Sequence, residues 1–179
     1  MTAPQTRHLT RADYTEMPWA NGRGTTVEIL RQDGAQGFLW RFSMASVAEN
    51  GPFSQFPGID RNLTVIAGPG FDLLGEVHLH AAPLHPVAFP GDVAISAKNV
   101  TAPSIDFNVM TRRPLPLPVV QVLSNTAIAP MEGAILCLFS LGDVRVGPHT
   151  LGRHDMLFDA PQAHLSGDAV VAIQLFTNR

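Results

Sequence analysis

Glycine and proline interrupt this chain almost everywhere. Fifteen of each are spread along its 179 residues rather than pooled in one linker. Proline has no backbone N–H to give a helix, and glycine favours turns over helix interiors. The punctuation therefore leaves few windows for helices and suits many short strands. The best helix window, residues 38–50, contains neither residue. Yet Arg41, Ser43 and Ala45 alternate there with Trp40, Phe42 and Met44, and that spacing predicts a strand. Further strands are expected at 25–30, 62–67, 71–77, 93–98 and 105–111, and in the second half at 119–123, 134–139, 143–146 and 169–176.

The run Arg113-Pro114-Leu115-Pro116-Leu117-Pro118 cannot donate ladder hydrogen bonds at its prolines and favours an extended connection. It marks the expected boundary between a first unit, 1–113, and a smaller second unit, 114–179. Each half carries a phrase in which a turn with Asp opens an apolar strand. These are Phe89-Pro90-Gly91-Asp92-Val93 and Gly152-Arg153-His154-Asp155-Met156-Leu157-Phe158. The parallel favours two related hairpin-built barrels over one large sandwich.

Composition narrows the partners. The chain is 45% hydrophobic and 15% charged, enough apolar content for a sizeable core. Its formal net charge is -3 and no stripe of Lys or Arg forms, which speaks against nucleic acid and anionic membrane surfaces. Residues 1–14 mix Arg, His and Asp without an apolar core, and no apolar stretch approaches a membrane span. Cys137 stands alone in an apolar run, so no internal disulfide forms, and a reducing compartment fits. The expectation is a cytoplasmic globular protein.

Candidate chemistry lies in polar residues on strands, where alternation gives direction. Trp19 and Asn21 lead into Gly22 and Gly24, which permit a tight, left-handed bend. The strand after them puts Thr26, Glu28 and Leu30 on one face and Thr25, Val27 and Ile29 on the other. Arg41 shares a face with Ser43. Asp106, Asn108, Met110 and Arg112 lie opposite Ile105, Phe107 and Val109, and Arg61 follows the turn Phe56-Pro57-Gly58-Ile59-Asp60. In a plain sandwich such faces meet water; in a ligand-holding barrel they turn inward. Alternation alone leaves both open.

His78 and His80 share a strand face, with His85 close behind, and would begin a zinc or iron site. Ala81-Ala82-Pro83 follow at once, and no acidic residue lies downstream of the histidines before Asp92, so a surface loop without metal is the better reading. Cys137 has no neighbouring base, and no nucleophile elbow, phosphate loop or dinucleotide fingerprint is present. Asp106 and Glu28 would serve acid–base chemistry as a pair across a barrel, or else form buried ion pairs with Arg41 or Arg61.

The order of motifs adds to this reading. Pro18-Trp19-x-Asn21-Gly22-x-Gly24-x-Thr26-x-Glu28 comes first, then Trp40-Arg41-x-Ser43-x-Ala45. Gly51-x-Phe53-Ser54-x-Phe56-Pro57-Gly58-x-x-Arg61 and Asp106-Phe107-Asn108-Val109-Met110-Thr111-Arg112 complete the set. Together they resemble the HutD/Ves family. The resemblance implies an all-β bicupin, two packed small antiparallel β-barrels of which the second is reduced. It also implies association with bacterial histidine utilisation, where such proteins are thought to bind a pathway metabolite and moderate flux.

No catalytic activity, cofactor or metal site attaches to that resemblance, and His78 and His80 lie outside its motifs. It turns the strand polar residues inward, towards a small carboxylate of the formylglutamate or urocanate class. The expected ligand-binding set is Trp19, Asn21, Thr26, Glu28, Trp40, Arg41, Ser43, Arg61, Asp106, Asn108 and Arg112. Arginine forks would hold a carboxylate, while Asn21, Ser43 and Asn108 donate or accept. Trp19 and Trp40 would form an apolar wall, and Glu28 and Asp106 would fix the arginines. Two alternatives stand beside binding. One is a metal-free isomerase or hydrolase with Asp106 or Glu28 as base; the other is a self-association module that forms a homo-oligomer. A pocket carboxylate with a raised pKa favours the enzyme, and carboxylates fully paired with arginine favour binding.

Overall fold

The computed structural model describes residues 5–19 and 24–177. In chain order the strands are β1 (Arg7–Leu9), β2 (Thr15–Pro18), β3 (Thr25–Gly34), β4 (Gly37–Val47), β5 (Gly51–Pro52), β6 (Ile59–Ala67), β7 (Phe71–Gly75), β8 (His78–Ala81), β9 (Val87–Pro90), β10 (Ile95–Lys98) and β11 (Ser104–Arg112). The remainder are β12 (Val119–Leu123), β13 (Ala127–Ile128), β14 (Ala134–Ser140), β15 (Val144–Val146), β16 (His149–Leu151), β17 (Met156–Phe158), β18 (Ala163–Gly167) and β19 (Val170–Phe176). A three-residue 3-10 turn, Arg11–Asp13, is the helical element among the described residues. None of these residues forms a helix long and apolar enough to cross a membrane.

Two units result, each with its own core. Thr15–Pro114 forms a six-stranded sheet in the order β2-β3-β4-β11-β6-β9 and a four-stranded sheet in the order β5-β10-β7-β8. The named ladders are antiparallel, β3–β4 and β7–β8 as hairpins and β11 between β4 and β6 by longer connections. Alternation on β6 sends Arg61, Leu63 and Val65 to one face, in register with Met110, Asn108 and Asp106 on β11. Leu63 and Val65 meet Phe71, Leu73, Ile95 and Ala97 of the smaller sheet in a dry core. Arg61 and the β11 polar residues continue the same face, so the interior is apolar at one side and polar at the other.

The second unit groups residues 1–14 with Leu115–Arg179. Its sheets run β1-β17-β14-β19-β12 and β13-β18-β15-β16, around Leu136, Leu138, Val144, Leu151, Leu157 and Leu165. Each unit is an open stack of two antiparallel sheets rather than the closed barrel expected, and the all-β cupin fold expected from the sequence still describes it. The expected unit boundary differs at the N-terminal end. β1 pairs with β17, Arg7 opposite Phe158 and Leu9 opposite Met156, so the first residues belong with the second unit.

Two local corrections bear on the site. A bulge between Glu28 and Leu30 puts Leu30 opposite Phe42 instead of Arg41. Leu30 thus leaves the face of Thr26 and Glu28, because an extra residue reverses the alternation. His78 and His80 lie on β8 rather than in a loop, and His80 Nδ1 is 2.6 Å from Asp72 Oδ1 on the neighbouring strand.

Candidate functional site

The polar side of the first unit encloses a cavity of about 600 Å³. β4 contributes Arg41 and Ser43, β11 contributes Asp106, Asn108 and Met110, β6 contributes Arg61, and β3 contributes Thr26. Trp19 closes one wall, and the 49–56 segment supplies Glu49, Phe53, Ser54 and Phe56. The register explains the convergence. Asn108 lies opposite Ser43 on one side and Leu63 on the other, while Met110 lies between Arg41 and Arg61. Neighbours in register share a sheet face, so these side chains rise together.

Arg61 is 7% exposed, unusual for a side chain that is normally solvated. Its Nη2 donates to Asn108 Oδ1 at 2.8 Å and its Nη1 to the Ser54 carbonyl at 3.4 Å, while Nε has no hydrogen-bond partner. Its guanidinium lies 5.3, 5.5 and 5.2 Å from the ring centres of Phe53, Phe56 and Phe89. Cation–π attraction offsets part of the lost hydration. Burial nevertheless pulls its pKa down to about 10, opposed by the nearby Asp106 charge.

Asp106 is 1% exposed and accepts a very short hydrogen bond from Asn108 Nδ2. Asn108 therefore bridges the two charged groups, donating to the carboxylate and accepting from the guanidinium. Burial drives the Asp106 pKa up to about 7, against the lowering effects of Arg61 and Asn108. The other arginine has a closer counter-ion: Arg41 Nε is 2.8 Å from Glu28 Oε2. Neither of those two atoms makes a hydrogen bond, so the contact is electrostatic and off the N–H direction.

Trp19 owes its place to Gly24. Its backbone N–H donates to the Gly24 carbonyl at 2.8 Å, and its indole Nε1 donates to Thr26 Oγ1 at 2.8 Å. A Cβ on Gly24 would come within 2.8 Å of the indole ring. Gly24 therefore serves close approach to the ring, while Gly22, the other glycine of the expected bend, lies outside the described residues.

Among the expected residues, Trp19, Thr26, Arg41, Ser43, Arg61, Asp106 and Asn108 line one cavity. Asn21 lies outside the described residues. Glu28 stands behind Arg41 as its counter-ion and does not line the cavity. Trp40 is corrected to the opposite face of β4, where it is buried 5.2 Å from the Phe42 ring, since alternation separates it from Arg41. Arg112 is also displaced: at the end of β11 its Nε donates to the Phe38 carbonyl at 2.9 Å. The reading of the sequence left Phe53, Phe56, Phe89 and Met110 out of the site. The signal for two of them was present, since Phe53 and Phe56 frame the turn that leads into Arg61.

Among the described residues no group of three His, Cys, Asp or Glu side chains is placed to hold a metal ion. Cys137 is fully buried, and burial pushes its thiol pKa up, which disfavours the reactive thiolate.

Fold and cavity together define a bicupin whose first unit carries an arginine-lined polar pocket. The HutD family model matches residues 11–175, and the chain belongs to the HutD family. It is 40% identical over 110 residues to the uncharacterized 21.2 kDa protein in the hutC 3′ region of Pseudomonas putida, covering 59% of this chain and 58% of that one. It is 40% identical over 113 residues to Protein Ves of Escherichia fergusonii, covering 56% of each. The matched segments thus span little more than half the length of these curated relatives. The structure of HutD from Pseudomonas fluorescens SBW25, in a formate condition, superposes with a TM-score of 0.85 at 32% identity. That likeness covers 97% of this chain and 100% of the other.

Proposed function

We propose that the cavity of the first unit binds a small carboxylate metabolite, of the formylglutamate or urocanate class, and that this binding moderates histidine utilisation. The observation that carries the reading is the Arg61 guanidinium, buried at the cavity wall with its Nε unpartnered. A buried donor without an acceptor costs on the order of 1–3 kcal/mol. An incoming carboxylate would supply the acceptor, and the planar fork of arginine suits it. Membership of the HutD family supports the connection to histidine utilisation.

A ligand at a hundred times its Kd should stabilise the fold by about 2.7 kcal/mol, a rise in Tm of several degrees. Formylglutamate, urocanate, glutamate and histidine are compared at matched pH and salt. Selective stabilisation by one acid, lost in Arg61→Lys, supports the reading. An equal shift with all acids, or none, contradicts it.

Asp106 supports a second reading. A buried carboxyl with a pKa raised to about 7 is suited to proton transfer near neutral pH. Prolonged incubation of the protein with each acid in D2O, followed by NMR, distinguishes the two. Unchanged spectra favour binding alone; product or isotope exchange that disappears in Asp106→Asn favours catalysis.

A further inference from the structure

We propose that a carboxylate ligand enters this cavity together with one proton, which Asp106 holds. The inference rests on the carboxylate-binding reading and adds a residue role to it. The charges facing the cavity nearly cancel before any ligand arrives. β4 brings Arg41 and β6 brings Arg61; β11 brings Asp106, and Glu28 of β3 stands against Arg41. Glu49, after β4, also lines the cavity but is exposed to water. A further anion placed beside the buried Asp106 carboxylate would leave like charges facing each other at low dielectric, a costly arrangement.

The two buried-side carboxylates differ in what a proton would cost them. Glu28 touches Arg41 at 2.8 Å and Arg31 at 3.7 Å, so neutralising it would forfeit two ion contacts. Asp106 has no such contact among the described residues. Asn108 is interposed, and Arg61 reaches it only through that amide. A protonated Asp106 turns from a competing acceptor into a donor for the incoming carboxylate. It also frees the Arg61 charge for the ligand. Binding and proton uptake are then linked: the ligand favours the protonated site, and the protonated site favours the ligand.

The experiment is isothermal titration calorimetry with N-formylglutamate, which has no group titrating between pH 6 and pH 9. Runs at pH 8 in two buffers of different ionisation enthalpy give the protons taken up, and runs from pH 6 to pH 9 give Kd. The expected result is uptake approaching one proton per ligand at pH 8. Kd should be flat below the Asp106 pKa of about 7 and rise about tenfold per pH unit above it. In Asp106→Asn the uptake disappears and Kd is flat throughout. Wild-type binding with a flat Kd and no proton uptake overturns the inference while leaving the carboxylate reading intact. A slope that survives in Asp106→Asn also overturns it. No binding even at pH 6 removes both.

Discussion

Arg61 and Asp106 form a pair whose members are both destabilised by burial and only indirectly joined. The guanidinium is steadied by three phenylalanine faces and one amide oxygen, and the carboxyl by that amide's nitrogen. Such a site costs folding free energy. The cost has a pH signature. Burial raises the Asp106 pKa from 3.8 to about 7, so the folded state holds this proton more tightly than the unfolded chain. Its favourable contribution is fully present below pH 3.8 and is lost as pH rises through about 7. At about 1.4 kcal/mol per pKa unit, the wild type should lose a few kcal/mol between pH 4 and pH 8 relative to Asp106→Asn. Urea unfolding of both proteins across that range checks this. Parallel pH profiles for the two would contradict it.

At the scale of strands, the alternation of residues 40–45 and 106–112 made the faces legible, because the β4–β11 and β6–β11 ladders run there without a shift of register. Alternation paired Arg41 with Ser43 and Asp106 with Asn108 for that reason, whereas turning both faces towards one pocket rested on the family resemblance. The bulge at Ile29 was hidden, since one extra residue leaves no compositional trace. Trp40 has the chemistry of a pocket wall, but its position on β4 puts it on the face of Phe42, away from Arg41. The short strands β2, β5 and β9 each end in proline. All three lie at sheet edges, where a missing N–H disturbs no inner ladder. The β2–β3 connection also yields a prediction. Gly24→Ala would place a methyl group 2.8 Å from the Trp19 indole and force the ring off its seat on the cavity wall. Ligand affinity should fall by about 1 kcal/mol, the scale of a lost aromatic contact. Calorimetric titration checks it, and an unchanged Kd would show that Trp19 is not used.

For the molecule as a whole, the division between the units falls within the proline run, after Pro114. The membership of the N-terminal segment was not legible, since β1 pairs with a strand far along the chain (Arg7 with Phe158). Local patterns do not report such pairing. Tyr14 makes the consequence testable. Its hydroxyl donates to the His154 carbonyl at 2.7 Å, within the second unit, whereas the cavity is lined by residues of the first. Tyr14→Phe should lower stability by about 1 kcal/mol and leave carboxylate affinity unchanged. A concurrent loss of affinity would show that the cavity depends on that segment.

The central claim is that this cavity holds a carboxylate against buried arginine. A crystal structure of the protein grown with saturating N-formylglutamate tests it most directly. The account predicts ligand density inside the first unit, with a carboxylate oxygen about 2.7–2.9 Å from a guanidinium nitrogen of Arg61 or Arg41. An empty cavity under saturating ligand, or a carboxylate bound only at the protein surface, would contradict it.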